Sequence, residues 1–419
     1  MATITKSDEL RLHNRSRILS CLRQNSQSRT GISELTGLSG ATVTQVTADL
    51  IEDGIIEQIV PNTDIAESES ANTRRGRPQV VLRLRALAAT TAVVTLLLNR
   101  LEVTLFDYAG TKLLQKNKHI KTSDLSIKTL TSNLFKLLDK TLSEKPVYRT
   151  TLKHIAVVYQ GAVTSDNNRL LWSPITNLQN FDLVSLLKNQ YGVDATVLND
   201  CKVIASALYQ AQLSSNGKNN NNNFAAILLS YGIGLGLFHR GDIVTGSHSS
   251  GTEFGHMLLK PNGALCRCGR NGCIEAYASD YAIWRNATQQ PENSLPLDEI
   301  DATEFAKVID KARTTPGPER EAFEQAGAAI GLGLTNLFAL FDPFPVVLVG
   351  TSVAALGLME ESLHKNLQHY GVPDNQNLIS VHESKSESTL ILEGASMLTL
   401  AYIDREIFSF GERVNSAPA

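Results

Sequence analysis

Cysteine is scarce in this chain, 5 in 419 residues, and so are tryptophan, at 2, and methionine, at 4. That cysteine density excludes a small extracellular scaffold stapled by disulfides. An excess of one charge is also missing. The 39 basic and 42 acidic side chains leave a formal net charge of -3. The molecule as a whole therefore has no attraction for nucleic acid or anionic lipid, and any DNA-binding surface must be local. No apolar run reaches the roughly 20 residues needed to cross a bilayer. The start, MATITKSDELRLHNR, has no apolar core of the kind a signal peptide carries. A reduced, cytoplasmic protein without a membrane partner is the expectation. At 42% hydrophobic and 19% charged the chain can build ordinary cores, and its length leaves room for about two to four domains.

The few cysteines are not scattered. Cys266, Cys268 and Cys273 fall within eight residues, and His256 stands ten residues ahead of the first. These four are ligands of the right type for one tetrahedral Zn2+, and a closed four-ligand site is structural, with no open position to activate a water. Gly263, Gly269 and Gly272 let the backbone fold tightly around a metal, and two carboxylates, Glu253 and Glu275, flank the loop. The alternatives are a metal-free reduced loop or a disulfide. The other cysteines, Cys21 and Cys201, stand alone, as in a cytosolic protein, which favours zinc over both.

Residues 1–88 have a logic of their own. Ile18, Leu19 and Leu22 give one apolar face to a first helix, and a second short helix fits Ile32 to Thr36, ending at Gly37. Ser39 can cap a third helix, in which Val43, Val46 and Leu50 face inward at helical spacing and Gly54 stops the run. Its other face begins with Gly40, Thr42, Thr44 and Gln45. Two helices joined by a short turn, the second with a small, polar N-terminal face, is how a recognition helix enters the major groove. Ile55 to Val60 and Val80 to Leu84 read as a hairpin, or wing. The polar segment between them ends in Arg74-Arg75-Gly76-Arg77-Pro78, which can place guanidiniums in a narrow minor groove. Arg11, Arg15, Arg17, Arg23 and Arg29 are candidate phosphate contacts. From Ser39 to Asp53 there is no Arg or Lys, so bidentate readout of guanine from this helix is unavailable, and Gln45 is the candidate to pair with adenine. The rival reading is a small helical protein-interaction domain with solvated arginines.

From Thr91 the pattern becomes α/β. Thr91 to Leu98 and Leu101 to Asp107 read as paired strands, and Leu125 to Leu138 as a helix. Leu152 to Val158 and Ala195 to Asn199 read as strands, the second running into a helix from Asp200. Phe224 to Ser230 and Ile233 to His239 are strands with a glycine-rich join. Glu321 to Phe341 is a long apolar helix, and Val346 to Val349 a strand. Alternation of this kind argues for an α/β architecture. The asparagine run before Phe224 reads as a solvated loop.

The order Asn199-Asp200, then Glu253-x-Gly255-His256, then Cys-x-Cys-Gly-x-x-Gly-Cys-x-Glu ending at Glu275 resembles the ROK family of sugar kinases and sugar-responsive repressors. The resemblance spans nearly the whole chain. It implies a two-lobed, actin-like and RNase H-like domain behind the winged helix-turn-helix, an addition similar to that of the repressor branch. The lobes would comprise residues 89–198 with 395–419, and 199–394. The resemblance also implies that Asn199, Asp200, Glu253, His256 and Glu275 ring the hydroxyls of a sugar, with Asp200 at the position of the kinases' general base. Convergent donors and acceptors on a rigid scaffold suit that task. His256 can hold zinc through one ring nitrogen and a hydroxyl through the other. For Asp200 alone, a helix cap is the plain alternative.

The kinases' Asp-x-Gly-Gly-Thr turn falls here on Thr95-Leu96-Leu97-Leu98-Asn99, and their Gly-Thr-Gly-x-Gly-Gly-Gly loop on Ser230-Tyr231-Gly232-Ile233-Gly234-Leu235-Gly236. Phosphate loops work through exposed N–H groups and absent side chains, so both departures predict loss of ATP-dependent transfer. The expectation is a homodimeric or homotetrameric transcriptional regulator that binds operator DNA and answers to a sugar or sugar phosphate. A kinase with residual activity and a regulator signalled by a protein partner are the rivals.

Overall fold

A computed structural model describes residues 6–59, 80–215, 223–246, 251–369, 378–382 and 386–409. The N-terminal unit has helices Lys6–Gln24, Arg29–Thr36 and Gly40–Glu52. Each boundary has a local cause. Ser28 Oγ accepts from Gly31 N and Ser39 Oγ from Thr42 N, capping the second and third helices, and Gly37, at φ 67°, turns the chain between them. Ile18, Leu19, Leu22, Ile32, Val43, Val46 and Leu50 are all buried in one core, as their spacing predicts. The hairpin is Ile56–Ile59 against Val81–Leu84, antiparallel, with Gln27–Ser28 on the other edge of the second strand. Its strands are shorter than the sequence reading by a residue or so. Arg74, Arg75 and Arg77 lie outside the described residues.

The reading of the arginines needs correction. Arg15 is 2% exposed. Its Nη2 meets Asp53 at 2.7 Å and its Nε donates to Phe408 O. Arg23 pairs with Asp404, Nη2 donating to Oδ1 at 2.8 Å and Nε to Oδ2 at 3.2 Å. Arg29 donates to Thr47 Oγ1, and Arg17 to Thr36 O. Arg11 pairs with Asp49. The core of the molecule, and not DNA phosphate, accounts for Arg15 and Arg23.

Two five-stranded sheets follow. In spatial order the first is Asp194–Asn199, Leu152–Tyr159, Thr90–Leu97, Arg100–Asp107, Lys112–His119, and the second is Ile379–Val381, Val346–Val349, Phe224–Leu229, Ile233–His239, Asp242–Ile243. In both, three consecutive strands pair antiparallel and two later ones add in parallel, so the lobes repeat one topology. Thr90–Leu97 is almost fully buried, and its β-branched run suits a strand covered on both faces. The strand Lys112–His119, with three lysines at a sheet edge, has no apolar alternation and is not legible as a strand. Charged edge strands resist unwanted pairing.

Helices Asp200–Ser215 and Glu387–Tyr402 pack on each other and share a core with both sheets, through Val93, Val158, Val203, Ile204, Leu228, Val349 and Ile391. At Gly394 an added Cβ would sit 2.3 Å from Val203 O, so only glycine allows this approach. The chain after the second helix enters the N-terminal unit. Leu400, Ile403, Ile407 and Phe408 join Ala88, Ala89 and Tyr108 in the core of the three-helix unit.

Candidate metal centre and ligand cleft

The loop from His256 to Glu275 is held by its own backbone before any metal is considered. Cys266 N donates to Arg270 O, Gly269 N to Cys266 O, and Gly272 N to Ala264 O. Gly272 has φ 83°, and a Cβ there would lie 1.8 Å from Lys260 O. Ala264 N is taken by Tyr277 Oη at 2.8 Å. This folding brings His256, Cys266, Cys268 and Cys273 together with all donor atoms within 4.8 Å of one another. His256 Nδ1 is 3.6 Å from Cys266 Sγ, and Cys268 Sγ is 3.8 Å from Cys273 Sγ. Metal–ligand bonds of about 2.0–2.3 Å in a tetrahedron leave ligand atoms roughly 3.5–3.8 Å apart. The donor set and its spacing therefore fit a bound metal ion. Arg270 Nε points at Cys268 Sγ from 3.5 Å.

The same loop forms one wall of a small cavity between the lobes. Asn199, Asp200, Glu253, His256 and Glu275 all line it, with Gly232, Ile233 and Gly234 from the second sheet. Asn199 ends one strand and Asp200 opens the following helix. Asn199, rather than Asp200, caps that helix, its Oδ1 accepting from Lys202 N at 2.9 Å. Asp200 Oδ1 accepts from Cys201 N and Asn199 Nδ2. Glu275 Oε2 accepts from Ile233 N at 3.1 Å, and its Oε1 lies 3.3 Å from Tyr281 Oη and 3.5 Å from Cys266 Sγ. Glu275 thus joins the metal loop, the second sheet and the cavity.

Burial, reinforced by the charge of Glu387, pushes Asp200 up to about 7, against the pull of the Cys201 N–H. Burial likewise pushes Glu387 up to about 7 and raises Glu253.

Gln160, Gly161, Trp172 and Pro174 complete the cavity, and sequence reasoning missed them. A signal was present. Tyr159 pairs with Asn199 in parallel register, so Gln160 and Asp200 emerge side by side at carboxyl ends of strands, where ligands bind in open α/β sheets. Reading it required knowing which strands pair.

Beyond Gln160 and Gly232 lies a larger cleft of about 830 Å³. Leu97 and Leu98 from one hairpin, Ser230 to Gly232 from the matching hairpin, Gly350 and Thr351, and the helix start at Ser386 to Ser388 line it. Leu98 N donates to Gln160 Oε1 and Asn99 N to Thr122 Oγ1. Ser230 N donates to Gly232 O.

On the N-terminal unit, Ser39, Gly40, Thr44 and Gln45 are exposed and Thr42 is half-buried. Gly40, Ala41, Thr44, Gln45, Ala48 and Asp49 line a shallow groove.

Fold and site together define a two-lobed, actin-like α/β protein with an N-terminal winged helix-turn-helix. The ROK family model matches residues 98–401, and the chain belongs to the ROK family. It is 24% identical over 356 residues to the xylose repressor of Bacillus spizizenii, covering 85% of this chain and 86% of that protein. It is 25% identical over 327 residues to the DNA-binding transcriptional dual regulator NagC of Escherichia coli, covering 77% and 76%. Among solved structures, a ROK family transcriptional regulator described as a homologue of the E. coli MLC protein superposes with TM-score 0.74 at 22% identity, covering 97% of this chain and 99% of that one. A ROK family glucokinase from Streptomyces griseus, in complex with glucose and AMPPNP, gives 0.58 at 21%, covering 74% and 99%. No helix among the described residues is long and apolar enough to cross a membrane.

Proposed function

We propose that this protein is a sugar-responsive DNA-binding transcriptional repressor of carbohydrate transport and catabolism genes, acting in the cytoplasm as a homodimer or homotetramer. The observation that carries this reading is a physical connection. One helix, Glu387–Tyr402, starts at the interlobe cleft and leads into the core of the winged helix-turn-helix. Relatives named as a xylose repressor and as a DNA-binding transcriptional dual regulator, each matched over most of its length, support it.

In this reading Ser39, Gly40, Thr42, Thr44 and Gln45 face operator DNA, and Arg74, Arg75 and Arg77 reach the minor groove from the wing. Asn199, Asp200, Glu253, His256 and Glu275 bind the hydroxyls of a sugar or sugar phosphate. His256, Cys266, Cys268 and Cys273 hold a structural Zn2+, whose bound charge would fix the orientation of the His256 ring in the cavity wall. A sugar that draws the lobes together shifts the packed helices Asp200–Ser215 and Glu387–Tyr402. The shift reaches the recognition helix through Phe408, Arg15 and Asp53, and the first helix through Asp404, Arg23 and Tyr108. It can change DNA affinity only by the ligand's differential affinity for the two conformations.

Phosphoryl transfer is lost in this reading. Catalysis of that step is positioning and electrostatics, and the N–H groups of Leu98, Asn99 and Ser230 are engaged within the protein while leucine side chains fill the turn. The retained Asp200, with its carboxyl near 7, favours a second reading as a residual kinase base. The deciding experiment is selection of genomic fragments by the purified protein, followed by release with a sugar panel and an assay of ATP turnover. A recurrent inverted repeat released by one sugar, without turnover, is the expected result. Turnover without enrichment would install the kinase reading instead.

A further inference from the structure

The hydroxyl cavity, of about 50 Å³, accounts for only part of the open space beside its residues. On the outer side Trp172, Glu253 and His256 are shared with a second cavity of about 470 Å³, completed by Met257, Cys268 and Arg270.

The chemistry of that outer cavity is specific. Trp172, half-buried on the strand Leu170–Trp172, stands 5.4 Å from the His256 ring, centroid to centroid, at 53°. The indole thus forms a wall shared by both cavities. An indole offers a broad apolar face with one polar handle, suited to the C–H face of a sugar ring, and Met257 adds an adaptable apolar surface. The charge argues against a phosphate. Glu253 is in the lining, and the one cation there, Arg270, is turned onto Cys268 Sγ at 3.5 Å.

We propose that the cavity bounded by Trp172 and Met257 is a second sugar subsite, and that the effector is a neutral disaccharide or longer glycoside. The inference rests on the reading of Asn199, Asp200, Glu253, His256 and Glu275 as the hydroxyl site. One ring engages that site and the next lies across Trp172.

The test uses the full-length, zinc-loaded protein in titration calorimetry. The probes are xylose, glucose and N-acetylglucosamine, their homodisaccharides in both anomeric linkages, and the 6-phosphates of the two hexoses. One disaccharide is expected to bind at least about tenfold more tightly than its monosaccharide. Trp172→Ala, which removes a wall shared by both cavities, lowers disaccharide affinity by more than monosaccharide affinity and so removes that margin, with zinc content unchanged. Trp172→Phe keeps most of the margin, and Met257→Trp, which fills the cavity, weakens the disaccharide alone. Those two variants carry the test if Trp172→Ala does not fold. Equal affinity for mono- and disaccharides overturns the subsite and leaves the hydroxyl site standing, and a 6-phosphate as the tightest ligand does the same. If no probe binds, the hydroxyl-site reading fails and the subsite with it.

Discussion

Asp200 and Glu387 are carboxyls whose folded-state values rise to about 7, first through burial. A raised acid holds its proton in the native state while the unfolded chain has released it. Stability is therefore greatest at low pH within this range, and falls as pH rises from about 4 to about 7. Denaturant unfolding from about pH 5 to pH 8 should show this decline. Asp200→Asn should flatten it and stabilise the protein at about pH 8 by on the order of 1–3 kcal/mol, at the expense of sugar binding. A decline of the same size in the variant would disprove the assignment. The metal loop gives a second residue-scale test. Cys268→Ser should release the metal and lower folding stability by roughly 3 kcal/mol or more, because a structural zinc site contributes directly to folding. Metal analysis and thermal melting report it, and unchanged values for both would remove zinc from the account. The candidate metal ligands were legible from residue type and spacing, and Asp200 through the resemblance to the ROK family. The proton chemistry of Asp200 was not, because it comes from burial beside Glu387, 187 positions away in the chain.

The recognition helix could be read at the level of elements because its periodicity and Ser39 cap are local. Its exposed face carries Gln45 and no cation, and the one acid in the groove, Asp49, is paired with Arg11. Gln45→Ala should cost about 1–3 kcal/mol of operator affinity and relax preference at one base pair. Arg77→Ala should weaken binding across sequences and reduce the salt slope by about 1. Fluorescence titration at several salt concentrations separates the two, and an unchanged slope would return the Arg-Gly-Arg-Pro run to a plain linker. The arginines of the first helix show why periodicity stops short. Arg15 and Arg23 have the spacing of surface cations, yet their partners, Asp53, Phe408 and Asp404, come from the recognition helix and the far end of the chain. The edge strand Lys112–His119 was missed for a related reason. Its conformation is imposed by pairing with Arg100–Asp107, and its own side chains record only the solvent beside it.

Across the whole molecule, the proposed route from a sugar between the lobes to operator DNA runs through the C-terminal segment. Asp404 is the buried junction of that route. It accepts from Arg23 Nη2 and Nε and from the Tyr108 hydroxyl, the last at 2.6 Å, while Tyr108 packs edge-on against Phe408. Asp404→Asn should leave sugar affinity within about twofold and cost about 2–4 kcal/mol of stability, since it leaves a half-buried guanidinium without its charge partner. It should also abolish release of operator DNA by the sugar. Calorimetry with sugar and operator titration with and without it give the two readouts. Sugar-driven release that survives in the variant would reroute the coupling to Arg15 and Phe408 alone.

The sequence by itself determined the α/β class, the helix-turn-helix and its hairpin, and the four candidate metal ligands, through local patterns: caps, apolar periods and ligand spacings that need no knowledge of distant partners. The two-lobed fold and the five residues of the inner cavity were legible only through the resemblance to the ROK family. Only the tertiary structure decided the rest. Parallel pairing of Tyr159 with Asn199 brought Gln160, Gly161 and Trp172 to the site. The approach of two helices at Gly394 joined the lobes. The return of the C-terminal segment to the first helix tied the helix-turn-helix unit to the interlobe cleft. Those contacts join residues far apart in the chain, and their energies come from packing and burial, which no short stretch of sequence contains.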